Sequence, residues 1–250
     1  MAEFGLEFFK LDYNVSSGVG TDVDADGPGA GLLGHTRAFR DWLHDAQARH
    51  PEVLFESCSS GGMRMDYNLL SVAHLQSTSD QQDFRRYAPI AAAAPASVLP
   101  EQAGNWAYPA EPMSIEETAF AMTAGVTGRL YLSGFLGGLS DERFALVREA
   151  VALHKDWRHR IADAHPVWPL GLPGWDDDDV IALQLDAGSE SLLALWSRGA
   201  TTEITLPGLR GRTLEQAYPV ALPEWTVRTA DGVPVVEVPA GHAARIFEVE

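Results

Sequence analysis

Two carboxylates and one lysine stand where short apolar segments of this sequence end. Lys10 and Asp12 close the segment FFKLD, and Asp80 follows the segment HLQST. Residues i and i+2 of a strand share a face, so Lys10 and Asp12 are expected to point to the same side. Two carboxyl groups facing one cleft suit glycoside hydrolysis, because one attacks the anomeric carbon or activates water and the other protonates the leaving oxygen. The alternative is a local ion pair between Lys10 and Asp12.

The elements that would position these residues alternate between strand and helix. Strands are predicted at Gly5–Leu11, Val53–Glu56, His74–Thr78, Ala103–Tyr108 and Arg129–Ser133. Helices are predicted at Thr36–Arg49, Asp66–Val72, Asp83–Val98 with an interruption at Pro89, Ser114–Ala124 with a capping box, and Ser140–Ile161. Five βα units of roughly 32 residues predict a parallel sheet and match the repeat of a (β/α)8 barrel. Five units cannot close such a barrel, so we expect a partial (β/α)8, TIM-type barrel over residues 1–162, with further units upstream in a longer chain.

After the segment Pro166-Val167-Trp168-Pro169 the pattern changes to short β-rich segments separated by Gly, Pro and Asp. These segments are Val180–Leu185, Ser191–Ser197, Thr202–Leu206, Val235–Val238 and Ala243–Val249. They predict a small antiparallel β domain, a sandwich, over residues 163–250. The acidic run Asp176–Asp179 is interpreted as a solvated loop rather than a metal site.

The composition of the chain limits the kinds of molecule that it is expected to bind. The chain has 250 residues and a formal net charge of −17, which argues against nucleic acid and anionic membranes as partners. No apolar run approaches the roughly 20 residues of a membrane span. Cys58 is the only cysteine, so an intrachain disulfide is impossible and a reducing, cytoplasmic location is favoured. We expect a small molecule as the partner.

Polar residues also follow the second and third predicted strands. In a barrel the active site lies at the carboxyl ends of the strands. The segment FESCSSGGMR would expose Glu56, Cys58, Ser60 and Arg64 around a turn at Gly61, and STSDQQD would expose Asp80 and Asp83. The chain has no H-x-H or H-E-x-x-H spacing, so no metal site is predicted, and His154 and His159 are expected at the surface or helix end.

Three ordered motifs carry a family resemblance. KLDYN, LFESCSSGGMRMD and STSDQQD resemble the patterns K-W-D-x-N, E-N-C-S-x-G-G-x-R-x-D and W-x-S-D-x-x-D of the α-galactosidases of glycoside hydrolase family 36. The resemblance covers the stretch from Gly5 to Ile161. It implies an enzyme, a retaining exo-glycosidase that removes terminal α-D-galactosyl groups from oligosaccharides or glycosides through a covalent galactosyl-Asp intermediate. Neither a metal nor an organic cofactor would be required, because the two carboxylates carry the reaction.

The same resemblance implies residue roles. Asp12 would be the nucleophile and Asp80 the general acid and then the base, with their carboxyl groups about 5–5.5 Å apart as retention requires. Lys10 and Asn14 would hydrogen-bond sugar hydroxyls. The pocket for the small-molecule carbohydrate would be lined by Cys58, Ser60, Gly61 and Arg64.

This chain departs from the family pattern at several points. Ser77 stands where the family has a tryptophan, Leu11 replaces another, and the family's amino-terminal β domain and first three barrel strands have no counterpart. A non-catalytic carbohydrate-binding or inactive form, or a related transglycosylase, therefore stays open as an alternative. Exposed strand edges would also favour self-association, so a homo-oligomer is possible.

Four other features have competing interpretations. DVDADG, from Asp22 to Gly27, begins like a calcium loop but lacks the later glutamate, so an acidic loop is favoured. GAGLLG, from Gly29 to Gly34, matches a nucleotide motif by letter, but glycines of a loop before a helix explain it better. Cys58 has no histidine partner in the nearby sequence, which favours a pocket-lining role over a nucleophile. Trp106 and Tyr108 are either a sugar platform or ordinary packing.

Overall fold

The computed structural model of the protein describes residues 2–15, 21–176 and 179–250. They form two compact units, Met1–Asp80 and Gln81–Glu250. The fold is mixed α/β with five parallel strands, three in the first unit and two in the second, and the second unit also holds antiparallel sheets. A search of the described helices found none with the length and apolar character needed to cross a membrane.

The first unit contains three parallel strands and two helices. They are β1 (Phe8–Asp12), α1 (Ala30–Arg49), β2 (Leu54–Cys58), α2 (Tyr67–Leu70) and β3 (Leu75–Ser77). A small core forms between the strands and α1, with Leu43 and Ala46 of the helix packed on Phe55 of β2. Because side chains alternate along a strand, Glu56 and Cys58 lie on the face of β2 opposite to Phe55.

The acidic segment before α1 caps this helix. The Asp22 carboxylate accepts hydrogen bonds from the Gly29 N–H at 3.0 and 3.2 Å and from the Gly31 N–H at 3.2 Å. These are donors that a helix start leaves without intrahelical partners. A Cβ atom on Gly31 would lie 1.6 Å from the Thr21 carbonyl oxygen, so only glycine fits there. The helix begins at Ala30 rather than at Thr36, so our interpretation of Gly31 and Gly34 as loop residues is wrong.

The second unit begins with three helices and two parallel strands. They are α3 (Phe84–Ala93), β4 (Ala103–Ala107), α4 (Ile115–Val126), β5 (Arg129–Leu132) and α5 (Asp141–Ile161). Both predicted caps are confirmed. Ser114 Oγ accepts from the Glu117 N–H at 3.1 Å while the Glu117 carboxylate accepts from the Ser114 N–H at 2.8 Å, and Ser140 caps α5.

The predicted interruption of the third helix at Pro89 is wrong, because α3 continues through this proline. A proline has no N–H, so the Arg85 carbonyl one turn earlier loses its helical donor. Arg198 Nη1 donates to that carbonyl at 3.4 Å instead. A donor from a distant part of the chain thus compensates for the missing helical bond, which no local pattern could predict.

Two antiparallel sheets complete the second unit. Their strands are β6 (His165–Val167), β7 (Val180–Asp186), β8 (Ser191–Ser197), β9 (Thr202–Thr205), β10 (Leu214–Tyr218), β11 (Val227–Ala230), β12 (Val233–Val238) and β13 (Ala243–Val249). The orders are β10-β13-β8-β7-β6 and β11-β12-β9. The sequence analysis missed β6, β10 and β11. The domain boundary at residues 162 and 163 and the sandwich stay predictions.

The core of the second unit joins α4 to the five-stranded sheet. Phe120 and Met122 of α4 belong to one buried cluster with Trp196 and Ile246 of that sheet. At its edge, the buried Arg245 of β13 makes an ion pair with Glu116 of α4 at 2.7 Å. The opposite face of the five-stranded sheet packs on the three-stranded sheet in a second cluster. The five-stranded sheet therefore packs on α4 through one buried cluster and on the three-stranded sheet through the other.

Candidate active site

The ends of β1 and β2 place two predicted site residues side by side. Asp12 ends β1, Cys58 ends β2, and the two are direct partners in the parallel register. The Tyr13 N–H donates to the Cys58 carbonyl at 3.0 Å, so the pairing extends one residue into the loop. Asp12 is exposed whereas Cys58 is buried. A solvent-accessible carboxylate is thus presented at the carboxyl end of β1.

The turn after β2 is tied to the loop after β1. Asn14 Oδ1 accepts from the Ser60 N–H at 2.6 Å, and Ser59 Oγ donates to the Tyr13 carbonyl. Ser60 has a φ of +42°, a left-handed conformation that residues other than glycine seldom adopt. Strained backbone of this kind clusters at functional sites. Asn14 and Ser60, both predicted to contact sugar, therefore meet at one place, and Ser59 is a contact that the sequence analysis missed.

The glycines after Ser60 allow the turn to touch the segment after β3. A Cβ atom on Gly61, which has a φ of +76°, would lie 2.4 Å from the Asp80 backbone nitrogen. One on Gly62 would lie 2.6 Å from the Thr78 carbonyl oxygen. No side chain fits at such distances, so both positions require glycine. The close approach places Asp80, which is exposed, beside the same turn that Asn14 contacts.

Lys10 forms its ion pair across to the neighbouring strand. Its Nζ lies 3.3 Å from Glu56 Oε1 and donates to Ser77 Oγ at 3.3 Å, while Ser77 Oγ donates to Glu56 Oε1 at 2.6 Å. The Glu56 side chain is only 1% exposed. Our expectation that Glu56 is exposed in the cleft is therefore wrong: the acid lies in the middle of β2, between β1 and β3, where Lys10 and Ser77 cover it.

The Cys58 thiol is buried next to this cluster. Burial raises its pKa above the usual range, and a hydrogen bond with Ser77 and the charge of Lys10 oppose this only in part. The group that reacts as a nucleophile is the thiolate, and a raised pKa reduces its population at neutral pH. This environment supports the pocket-lining interpretation of Cys58 over the nucleophilic one.

Arg64 holds the loop after β1. Its Nε donates to the Tyr13 carbonyl at 3.1 Å and its Nη2 donates to the Val15 carbonyl at 2.6 Å. The guanidinium lies 3.8 Å from the centroid of the Tyr13 ring, and the Tyr13 hydroxyl is 3.0 Å from His35 Nε2 of α1. These contacts orient the loop that follows Asp12. A direct contact of Arg64 with sugar stays a prediction.

An apolar groove of about 310 Å³ lies beside Asp12. It is lined by Leu11, Asp12, Tyr13, His35, Phe39 and Trp42. Phe39, Trp42 and Leu43 lie at helical spacing on one apolar face of α1, but the Trp42 side chain is 45% exposed and stacks on Phe39 with centroids 5.8 Å apart. Aromatic faces suit the apolar side of a pyranose ring. The sequence pattern could not separate the buried edge of this face, at Leu43, from its exposed edge at Trp42.

Several other predicted polar residues have structural roles in the second unit. Asp83 caps α3 and pairs with Arg85 Nη2 at 2.8 Å, which holds the pKa of its carboxyl below the usual range.

Trp106 stacks on Tyr108 and meets Tyr131 edge to face, so it packs among aromatic rings, and a sugar platform there stays a prediction. His159 is exposed, whereas His154 is half-buried beside Arg158, so the surface prediction is wrong for His154.

No cluster of three or more His, Cys, Asp or Glu side chains suited to a metal ion occurs within residues 2–15, 21–176 and 179–250. Asp22 of the calcium-like segment is engaged at the start of α1 instead. Asp177 and Asp178 of the predicted acidic loop lie outside the described residues.

Known proteins resemble this chain in sequence and in fold. Residues 9–163 match the family model described as Melibiase. An alpha-galactosidase of Escherichia coli is 26% identical over 227 residues, covering 84% of this chain and 29% of that protein. The galactosidase domain of the alpha-galactosidase-sucrose kinase AgaSK superposes with a TM-score of 0.74 at 19% identity, over 97% of this chain and 34% of that one.

A second solved structure has a similar fold. A variant of the family 36 alpha-galactosidase AgaA from Geobacillus stearothermophilus, in complex with raffinose, has a TM-score of 0.68 at 19% identity, over 97% of this chain and 35% of that one. The present chain therefore spans about a third of the length of these relatives.

Proposed function

The chain belongs to the Melibiase family, and on that premise we propose that it hydrolyses terminal α-D-galactosyl groups with retention of configuration. The observation that carries the proposal is the contact between the loops that follow β1 and β2 and the segment that follows β3. This contact ties Asn14, two residues after Asp12, to the Ser60–Gly61 turn, which lies against the Asp80 backbone, and it supports the assignment of both carboxylates to one site. Both carboxylates are exposed there, as a reaction with an incoming sugar requires.

The proposed reaction has two displacement steps. Asp12 attacks the anomeric carbon while Asp80 donates its proton to the leaving oxygen, so the glycosidic bond breaks as a galactosyl ester of Asp12 forms. The Asp80 carboxylate then takes a proton from water, which attacks the anomeric carbon, breaks the ester and releases galactose. Two inversions give net retention. The remaining assigned residues, Lys10, Asn14, Cys58, Ser60, Gly61 and Arg64, would bind the sugar or shape its pocket.

The substrate proposed is an α-galactoside of oligosaccharide size. The AgaA variant that resembles this chain was crystallised with raffinose. An open groove beside Asp12 with exposed aromatic surface from Trp42 leaves room for sugar units beyond the galactosyl group. We further propose a cytoplasmic location, in keeping with one unpaired cysteine.

Hydrolysis of p-nitrophenyl α-galactoside tests the proposal. We expect release of nitrophenol by the full chain and loss of at least about 10³-fold in kcat for Asp12→Ala, because the nucleophile is removed. Azide should partly restore the Asp12→Ala rate and yield β-galactosyl azide. The control is Asp41→Asn, which removes a carboxylate from an exposed pair on α1. Unchanged activity in Asp12→Ala would remove Asp12 from its role.

Binding without turnover is the second candidate function, favoured by Ser77, which stands where the family pattern has a tryptophan. A chain that binds galactose but does not release nitrophenol would be a carbohydrate-binding form. Calorimetric titration with galactose, made on the same samples as the hydrolysis assay, separates the two functions.

A further inference from the structure

Glu56 is a buried acid to which the proposed reaction assigns no role. We propose that Glu56 and Ser77 are positioning residues that hold the Lys10 ammonium group on the sugar-binding face of β1. This inference rests on the proposed function, because it states what keeps one residue of that site in place. The chemistry recognised is a hydroxyl group of the bound sugar, and neither Glu56 nor Ser77 needs to touch the sugar.

The strand register directs Lys10 toward its partners. Lys10 and Glu56 are direct neighbours in the β1–β2 pairing, and Asp12 follows two residues later on the same face as Lys10. A lysine is a compact charge on a flexible four-carbon stem, so its position depends on what its ammonium group contacts. Contacts at 3.3 Å to Glu56 Oε1 and to Ser77 Oγ anchor it from β2 and β3. The ammonium group therefore stays on the face that carries Asp12.

Ser77 completes this arrangement in a way that a tryptophan could not. A serine hydroxyl donates one hydrogen bond and accepts others. Here it donates to Glu56 Oε1 at 2.6 Å and accepts from Lys10 Nζ at 3.3 Å. An indole has a donor and no comparable acceptor, so a tryptophan here could not link an acid to a lysine. The residue that departs from the family pattern thus links Glu56 to Lys10 in this chain.

The burial of Glu56 explains why this carboxylate needs its partners. A carboxylate that is 1% exposed needs a cation and hydrogen bonds to offset its lost hydration. The Lys10 side chain remains 29% exposed, so one end of the pair reaches the solvent where a sugar would arrive. The buried acid holds the ammonium group, and the exposed part of the lysine remains available to a ligand.

Two lysines in the whole chain make a direct test possible. Lys10 and Lys155 are the only lysines, so a sample labelled with ¹³C at lysine Cε gives two lysine signals, which Lys155→Arg assigns. The variants are Glu56→Gln, which keeps the shape but removes the charge, and Ser77→Ala, which removes the bridging hydroxyl. Ser77→Thr keeps the hydroxyl, and Asp41→Asn removes a carboxylate from the exposed pair with Arg40.

We expect Glu56→Gln and Ser77→Ala to shift the Lys10 signal and to accelerate acetylation of Lys10 by about fivefold, the factor for losing one ordinary hydrogen bond. Lys155 serves as the internal reference in each sample. Ser77→Thr and Asp41→Asn should keep the wild-type Lys10 rate. If Glu56→Gln does not fold, Ser77→Ala still decides, because it leaves the ion pair intact. An unchanged Lys10 signal and rate in the folded variants would overturn the inference.

Galactose titration connects the inference to the site. In the wild type, galactose should move the Lys10 signal and leave that of Lys155 in place, and its Kd should weaken about fivefold in Glu56→Gln and Ser77→Ala. An equal Kd in these variants would overturn the positioning role. If galactose moves no signal in the wild type, the proposed function fails, whereas the acetylation rates still test the link between Glu56 and Lys10.

Discussion

The two compact units use their polar groups in opposite ways. In the first, hydrogen bonds of Asn14, Ser59 and Arg64 join loops at the ends of strands, and the apolar core beneath them is small. In the second, the buried Arg245 and Trp157 make polar contacts at the edges of a large apolar core, to Glu116 and Glu248 respectively.

The exposure of apolar side chains sharpens this contrast. In the first unit Phe8 and Leu54 lie in strands and are 43% and 44% exposed. In the second unit every residue of β8 is buried. Local stability follows buried apolar contact, and binding sites are drawn from less stable regions. We therefore expect changes in the second unit to alter stability most, and changes in the first to alter activity most.

The largest expected effect is the loss of stability when a buried phenylalanine is replaced by alanine. Two phenylalanines, one in each unit, are both 0% exposed and can be compared. Phe120→Ala in the second unit should lower the free energy of unfolding by about 3–5 kcal/mol, the usual cost of a large cavity. Phe55→Ala should cost less, about 2–3 kcal/mol, because its small core can collapse around the gap. Urea unfolding with hydrogen exchange measures both. A larger loss in Phe55→Ala would break the contrast between the units.

The next effect concerns the turn between Asn14 and Asp80. Gly61→Ala adds a methyl group 2.4 Å from the Asp80 nitrogen at a φ of +76°, so the turn must move. We expect a loss of about 2–4 kcal/mol in stability and at least about 100-fold in kcat/KM for p-nitrophenyl α-galactoside, because overpacking and a left-handed backbone each add strain.

Gly5→Ala is the matched control for this change. Gly5 also has a positive φ, of +60°, but nothing lies within 4 Å of the added methyl group. Its cost should be about 1–2 kcal/mol, from the backbone alone, with activity retained. Equal losses in the two variants would show that the contact with Asp80 has no importance of its own.

A smaller effect is expected at the ion pair of the second unit. Arg245 donates from Nη1 and Nη2 to the two carboxylate oxygens of Glu116 at 2.7 and 2.8 Å. Arg245→Lys keeps the charge but cannot make both bonds, so we expect a loss of about 1–2 kcal/mol in thermal or urea unfolding. Arg228→Lys alters an exposed pair with Glu203 and should change stability by less than about 0.5 kcal/mol. Similar losses in both would contradict the importance assigned to burial.

Local signals in the sequence predicted much of the secondary structure. The capping box at Ser114 and the cap at Ser140 mark helix starts because their bonds span only a few residues. The strand ends at Asp12 and Cys58 lie one and two residues beyond the predicted ends at Leu11 and Glu56, because the pairing of β1 with β2 continues to these residues. The beginning of α1 escaped prediction because Asp22 caps it across an irregular segment.

The arrangement within the candidate site depended on contacts that no local pattern contains. Glu56 was expected to be exposed, and only the packing of β2 between β1 and β3 shows that it is buried and contacts Lys10 and Ser77. The requirement for Gly61 is equally non-local, since it arises from the backbone of Asp80 rather than from the turn alone. Sequence patterns predicted candidate residues, and the register of the strands determined which of them meet.

The smallest expected effect is a pH dependence from the second unit. Burial, with repulsion from Arg158 and Arg129, lowers the pKa of His154 below its usual 6.5, against a hydrogen bond to Val126 that opposes this. The unfolded chain then binds more protons than the folded one, so stability falls as the pH drops below about 6.5 toward the lowered value. His154→Gln should flatten the decline in urea midpoint between pH 7 and pH 5, and His159→Gln, at an exposed position, should leave it unchanged. Equal slopes in the wild type and His154→Gln would show that His154 does not contribute, and would leave the acid sensitivity of this unit to its other ionisable groups.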